Sequence, residues 1–283
     1  MTRAGLLRIA SALALAGASA GAQAQINIDL GRIFGTVKNI GQAATDINEE
    51  QEANIGREYA SLLVGAAPLV DRPDLQRYVN RVGRWLSLHS ERPKLDWKFG
   101  VLDSGNINAF ATPGGYVFVT KGLLARLHSE AELAGVLAHE IAHVVKKHHL
   151  SAIRKSAGLQ AGANILAEYQ SNRGRSSQAS ERMVSGAREV MLRGLDKNDE
   201  FEADRMGVVI ATRSGYDPFG LPAVLQTLQS MNPQDSGLAL MFSTHPAPGA
   251  RLDELERVVA TRLDRYAGQP QLAERFAGTL GGQ

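Results

Sequence analysis

Between Ser129 and Leu150 the chain reads SEAELAGVLAHEIAHVVKKHHL, and no other stretch constrains its fold as tightly. Ser129 and Glu132 stand in capping-box spacing ahead of an apolar run, which predicts a helix start. Leu133, Val136, Leu137, Ile141 and Val144 recur at helical intervals and predict that this helix is buried in a core. Four of the seven histidines of the 283-residue chain fall within it. Among them His139, Glu140 and His143 form H-E-x-x-H. Positions i and i+4 share one helical face, so the two imidazoles can converge on one cation while Glu140 points beside it. Buried there without a metal, both histidines would need other hydrogen-bond partners and would resist protonation.

A catalytic zinc site takes three protein ligands and leaves one position to water. His149 is one candidate for the third ligand, because it follows His139 at the offset of the H-E-x-x-H-x-x-G-x-x-H pattern. That pattern needs a glycine to turn the chain, and Lys146 stands in its place. On a helix that runs on, His149 lies about 15 Å along the axis from His139, out of reach. Lys146, Lys147, His148 and His149 then read as solvated cations at a helix C-terminus. The other candidate is Glu200 in DEFEADRMG. Asp204 follows it at i+4, placed to accept a hydrogen bond from the outer nitrogen of His139. Ala203, Gly207 and Ala211 line the same side, a small-residue face able to press against the first helix. Glu202 points about 200° away and is expected in solvent.

The rest of the chain reads as a single α+β domain, mainly helical. Residues 1–24 have Arg3 and Arg8, an apolar stretch and an Ala22-Gln23-Ala24 ending, which fits a cleavable secretory signal peptide and a periplasmic address. Residues 25–48 form an irregular lead-in. Amphipathic helices are expected within 48–65 and 73–90, strands in LDWKFGVLDS and GGYVFVTKG, and helices again over 199–215, 218–231 and 251–263. The domain should span 49–265. Residues 151–197 are expected as a flexible insertion, a lid or a plain solvated loop, and 266–283 as a tail. No other window is apolar enough to span a bilayer. The 31 basic residues against 29 acidic ones leave no nucleic-acid footprint once the two arginines of the signal are removed. With no cysteine in the chain, a metal must be held by histidine and carboxylate.

AHEIAHVVKKH followed by NDEFEADRMG resembles the HtpX-like and CAAX-prenyl-protease-like zinc metallopeptidases, as do NAFATPGGYVFVTKGLL and STHPAPGARLDEL. The resemblance covers about residues 50–260, and the chain looks most like the short soluble periplasmic members. It implies a zincin-like domain, one Zn2+ held by His139, His143 and Glu200, with Glu140 as general base and Asp204 behind the ligands. It also implies that GGYVFVT is an edge strand beside the cleft, to which an extended substrate adds by main-chain hydrogen bonds. In that pattern the His245-Pro246 element lies near the metal. His245 then stabilises an oxyanion or fills the open zinc position, unless it is only a turn histidine; Arg251 orients a carboxylate or caps the next helix. The expected activity is cleavage of unfolded or misassembled envelope proteins, with the outer-membrane assembly machinery as a candidate partner. The competing readings are a zinc-stabilised binding module for outer-membrane proteins and a hydrolase of peptidoglycan or another small amide.

Overall fold

The computed structural model describes residues 47–153, 155, 195–245 and 247–281. The expected signal peptide, nearly all of the lead-in and most of the 151–197 insertion lie outside the described residues.

Helix α1 (Glu49–Ala66) opens with a complete capping box between Asn48 and Gln51 and buries Ile55, Tyr59 and Leu63. Helix α2 (Pro73–Ser87) starts with proline in its first turn, where the missing N–H costs nothing, and buries Leu75, Val79, Val82 and Leu86. Three strands follow: β1 (Lys98–Leu102), β2 (Ala109–Thr112) and β3 (Tyr116–Thr120). Their spatial order is β1-β3-β2, with β1 parallel and β2 antiparallel to β3. Gly114 and Gly115, at φ 77° and 97°, make the β2–β3 turn in a region that side chains avoid.

This order corrects one expectation. GGYVFVT supplies the central strand, and the edge strand is β2, which carries too few residues to announce itself in the sequence. Val117 and Val119 are wholly buried and Phe118 nearly so, so β3 is covered on both faces, as a central strand is. The far edge of β1 is closed by residues 68–70, through Val70 N–H to the Val101 carbonyl (2.9 Å) and Asp103 N–H to the Pro68 carbonyl (2.8 Å).

After the single-turn helix α3 (Lys121–Leu124), α4 (Glu130–Val145) runs through the middle of the molecule. Ser129 caps it by accepting from Glu132 N–H, and every side chain from Glu130 to Val144 is buried. A helix covered all round is held by packing; Leu133, Leu137 and Ile141, with no exposure, each contribute about 1.5–3 kcal/mol. Helix α5 (Lys197–Arg213) lies along one side of it and α6 (Gly220–Ser230) along another. Then come α7 (Ala239–Thr244), α8 (Pro248–Leu263) and α9 (Ala273–Leu280). No periodic element was expected after residue 265, yet α9 joins the main core through the buried Phe276, while Arg275 donates to the buried carboxylate of Glu130 (2.6 Å).

The contact between α4 and α5 depends on one glycine. A Cβ at Gly207 would stand 2.9 Å from the His139 nitrogen and 3.0 Å from its Cα, so a side chain there forces the helices apart. Gly207→Ala should lower the free energy of unfolding of the metal-free protein by about 1–3 kcal/mol, the usual cost of overpacking. Urea denaturation reads this directly, and an unchanged midpoint would show that the backbones do not meet at this point.

Candidate metal centre

Helix geometry places His139 and His143 on the same face of α4, one turn apart, with their Nε2 atoms 3.0 Å from each other. Because Gly207 lets α5 approach, Glu200 from the first turn of α5 reaches both. Its Oε1 lies 3.5 Å from His143 Nε2 and its Oε2 3.6 Å from His139 Nε2. Ligands at 2.0–2.1 Å around a tetrahedral zinc stand about 3.3–3.4 Å from one another, so these spacings suit one shared ion. His245, just past the end of α7, closes the group with Nδ1 2.9 Å from Glu200 Oε2. One donor atom from each of His139, His143, Glu200 and His245 lies within 4.8 Å of the others.

The chemistry of these donors fits a divalent cation. Glu200 Oε1 is fully buried and has no hydrogen-bond partner, a state that costs about 1–3 kcal/mol or more for a charged group unless a cation satisfies it. Burial opposes ionisation of Glu200, but His245, Arg251 and His139 outweigh it and hold the carboxyl at about 2. His143 is pushed well below the ordinary imidazole value, first by burial and then by the neighbouring histidines, so its nitrogen lone pair is available to a metal.

Behind the donors lies a tightly bonded carboxylate. Asp204, one turn after Glu200, places Oδ1 2.9 Å from His139 Nδ1. Arg251 grips the same carboxylate with both arms, Nε donating to Oδ2 at 2.7 Å and Nη2 to Oδ1. For Arg251 this geometry matches the orienting of a carboxylate. Burial opposes the charge on Asp204, but Arg251 and then His139 keep it well below the usual carboxylate range. With Asp204 accepting at Nδ1, the proton of His139 sits there and Nε2 is left free to coordinate. Glu140 is 2% exposed, and burial pushes its carboxyl up despite the pull of His245 and His139. It borders a cavity of about 30 Å³, room for a water or two, whose walls include His139, His245, Arg251, Val136 and Leu225.

The end of α4 departs from the sequence reading. The helix stops at Val145, Lys147 takes a left-handed backbone (φ 57°), and the chain turns back into a new helical stretch over residues 148–153. His148 and His149 are therefore not solvated cations. His148 is 4% exposed, with Nδ1 3.0 Å from His143 Nδ1. The His149 ring lies 5.5 Å from that of His143, and burial pushes its imidazole down to about 4. The 15 Å separation held only for a helix that ran on. Left-handed residues are usually glycine or asparagine, and a lysine gives no warning of the turn. Lys146 and Lys147 pair with Glu202 (2.9 Å) and with the buried Glu52 (3.5 Å). Glu202 keeps 42% of its side chain exposed, facing away from the donor group as the helical wheel requires.

Sequence comparison agrees with this geometry. The profile of Peptidase family M48 matches residues 73–259. The chain is 32% identical over 231 residues to the beta-barrel assembly-enhancing protease of Escherichia coli (strain K12), an alignment covering 79% of this chain and 45% of that protein. Its namesake from Yersinia pestis is 31% identical over 219 residues, covering 75% and 44%. The mitochondrial metalloendopeptidase OMA1 of Schizosaccharomyces pombe is 32% identical over 180 residues, covering 63% and 51%. The chain thus spans about half the length of the curated relatives it matches. The matched profile takes in all four donors together with Glu140, Asp204 and Arg251, and the chain belongs to peptidase family M48.

Proposed function

We propose that this protein is a zinc-dependent endopeptidase of the periplasm that cuts unfolded or misassembled outer-membrane proteins. The observation that carries the metal chemistry is the buried, unpartnered Oε1 of Glu200 among three imidazoles. Nitrogen and carboxylate donors in a four-coordinate group, without thiolate, suit zinc. His139, His143 and Glu200 would hold it, and Asp204 with Arg251 fixes the orientation of His139. When bound, zinc supplies Lewis acidity, polarising the scissile carbonyl and making water nucleophilic at neutral pH. Glu140 takes the proton of the attacking water and delivers it to the leaving amine nitrogen. Its raised pKa helps it to hold that proton between the two transfers.

His245 completes the donor set in a latent enzyme. Its Nδ1 approaches Glu200 at 2.9 Å and belongs to the same four-atom group, so it stands where a water or a substrate oxygen would otherwise enter. An oxyanion role needs the ring to stand back from the ligands, and this arrangement favours the fourth-ligand reading. His245 follows directly on the six-residue helix α7, a short element whose displacement would vacate that position.

The substrate class rests on three supports. Two relatives carry the name beta-barrel assembly-enhancing protease. The N-terminal sequence fits export, and no helix among the described residues is long and apolar enough to cross a membrane. Among the described residues β2 pairs on one side only, with β3, and its first residue Ala109 borders the cavity beside Glu140. An extended, unfolded segment is the form of substrate able to add to that edge.

Glu140→Gln should retain zinc and lose about 10²–10⁴-fold in the rate of cleavage of an unfolded protein, the range supplied by a general base. Equal rates in the two proteins would favour the binding-module reading. His245→Ala should raise basal cleavage of the same substrate while leaving the zinc in place. A fall in rate with KM unchanged would instead assign His245 to the oxyanion.

A further inference from the structure

The two helix-borne imidazoles have different outer partners. His139 rests on the carboxylate of Asp204, while the outer nitrogen of His143 meets another imidazole, His148 Nδ1, at 3.0 Å. Both rings are buried and they meet edge to face, with centroids 5.1 Å apart. On its other side, His148 Nε2 is 3.4 Å from Glu202 Oε2 and 3.8 Å from Asp199 Oδ1. Glu202 is in turn paired with Lys146 at 2.9 Å.

We propose that His148 is a positioning residue for the metal centre: it accepts the Nδ1 proton of His143 and passes its orientation to Glu202 through its own Nε2–H. The proposal rests on the zinc-site reading above. Proton placement follows from donor counting. A neutral imidazole carries one N–H, and a histidine that coordinates through Nε2 must carry it on Nδ1. His143 then donates, so His148 Nδ1 has to be the bare nitrogen. That leaves the proton of His148 on Nε2, facing two carboxylates that can only accept. Each group in the chain His143–His148–Glu202 has one compatible role: with His143 protonated at Nδ1, the other tautomer of His148 would set two N–H groups against each other and leave a bare Nε2 facing the carboxylates.

The backbone is built for this contact. Lys147 adopts φ 57°, which reverses the chain after α4 and brings His148 beside a residue five positions earlier. Lys146 and Lys147 anchor the reversal on Glu202 of α5 and Glu52 of α1. The turn therefore ties the orientation of His143 to the packing of three helices.

Outer partners of metal-bound histidines are worth about 10–100-fold in metal affinity. His148→Phe should weaken zinc binding by that factor in chelator competition and shift the visible absorption of the cobalt-substituted protein. Metal-free thermal unfolding should change little. His148→Asn places an amide oxygen near the position of Nδ1 and should recover most of the affinity. Zinc affinity and cobalt spectrum equal to wild type in His148→Phe would overturn the proposal while leaving the zinc site intact; a wild type that takes up no zinc would end both. Should the phenylalanine variant not fold, long-range proton–nitrogen NMR of histidine-labelled, zinc-loaded wild type decides. His148 protonated at Nε2 is the expected result, and a proton on its Nδ1 contradicts the assignment.

Discussion

The close approach of α4 and α5 governs the chemistry of this protein. The Glu200 carboxylate and two imidazoles come from segments about sixty residues apart in sequence, and they meet because Gly207 presents no side chain to the backbone of His139. Helix axes usually stand 8–10 Å apart, set by the side chains at the contact. With a glycine there, a glutamate in the first turn of α5 is long enough to reach both imidazoles. Asp204, one turn on, then falls beside His139 without further adjustment.

Placing this many ionisable groups in a buried site is costly unless each is paired. The arrangement answers with complementary pairs, Arg251 on Asp204, His245 on Glu200, and Asp204 on His139. Glu200 Oε1 is the exception, the one carboxylate oxygen among the described residues that is buried without a partner. Glu140 differs again: burial outweighs its neighbours and raises its pKa, whereas at Glu200 the neighbouring cations outweigh burial and lower it, a contrast that matches the proposed roles of proton carrier and ligand.

Much of this was legible in the sequence because the decisive signals are periodic. Spacings of four residues place His139 with His143 and Glu200 with Asp204 on common faces whatever the rest of the fold does. The small-residue face of α5 was visible for the same reason. What escaped was set by tertiary contacts. Strand β2 has only four residues and gains its identity from the β3 hairpin, so the edge of the sheet was assigned to the wrong segment. The turn at Lys147 has no glycine to mark it, and without it His148 and His149 read as helix-end cations. Helix α9 is eight residues long and is fixed by Phe276 and by the Arg275–Glu130 pair, contacts with no local signature. The position of His245 came only from the resemblance, and its placement in the donor group came from the structure.

A protease that meets its own folded neighbours needs a means of staying inactive. In the proposed reading His245, just past the end of the short helix α7, would supply one within the same chain, and an unfolded segment lying along β2 would be the occasion for its release. All of this presupposes that Glu200, and not its neighbour Glu202, faces the metal. The zinc content of wild type, Glu200→Gln and Glu202→Gln measures that directly: wild type and Glu202→Gln should retain stoichiometric zinc after dialysis while Glu200→Gln loses it, and loss confined to Glu202→Gln would contradict the account.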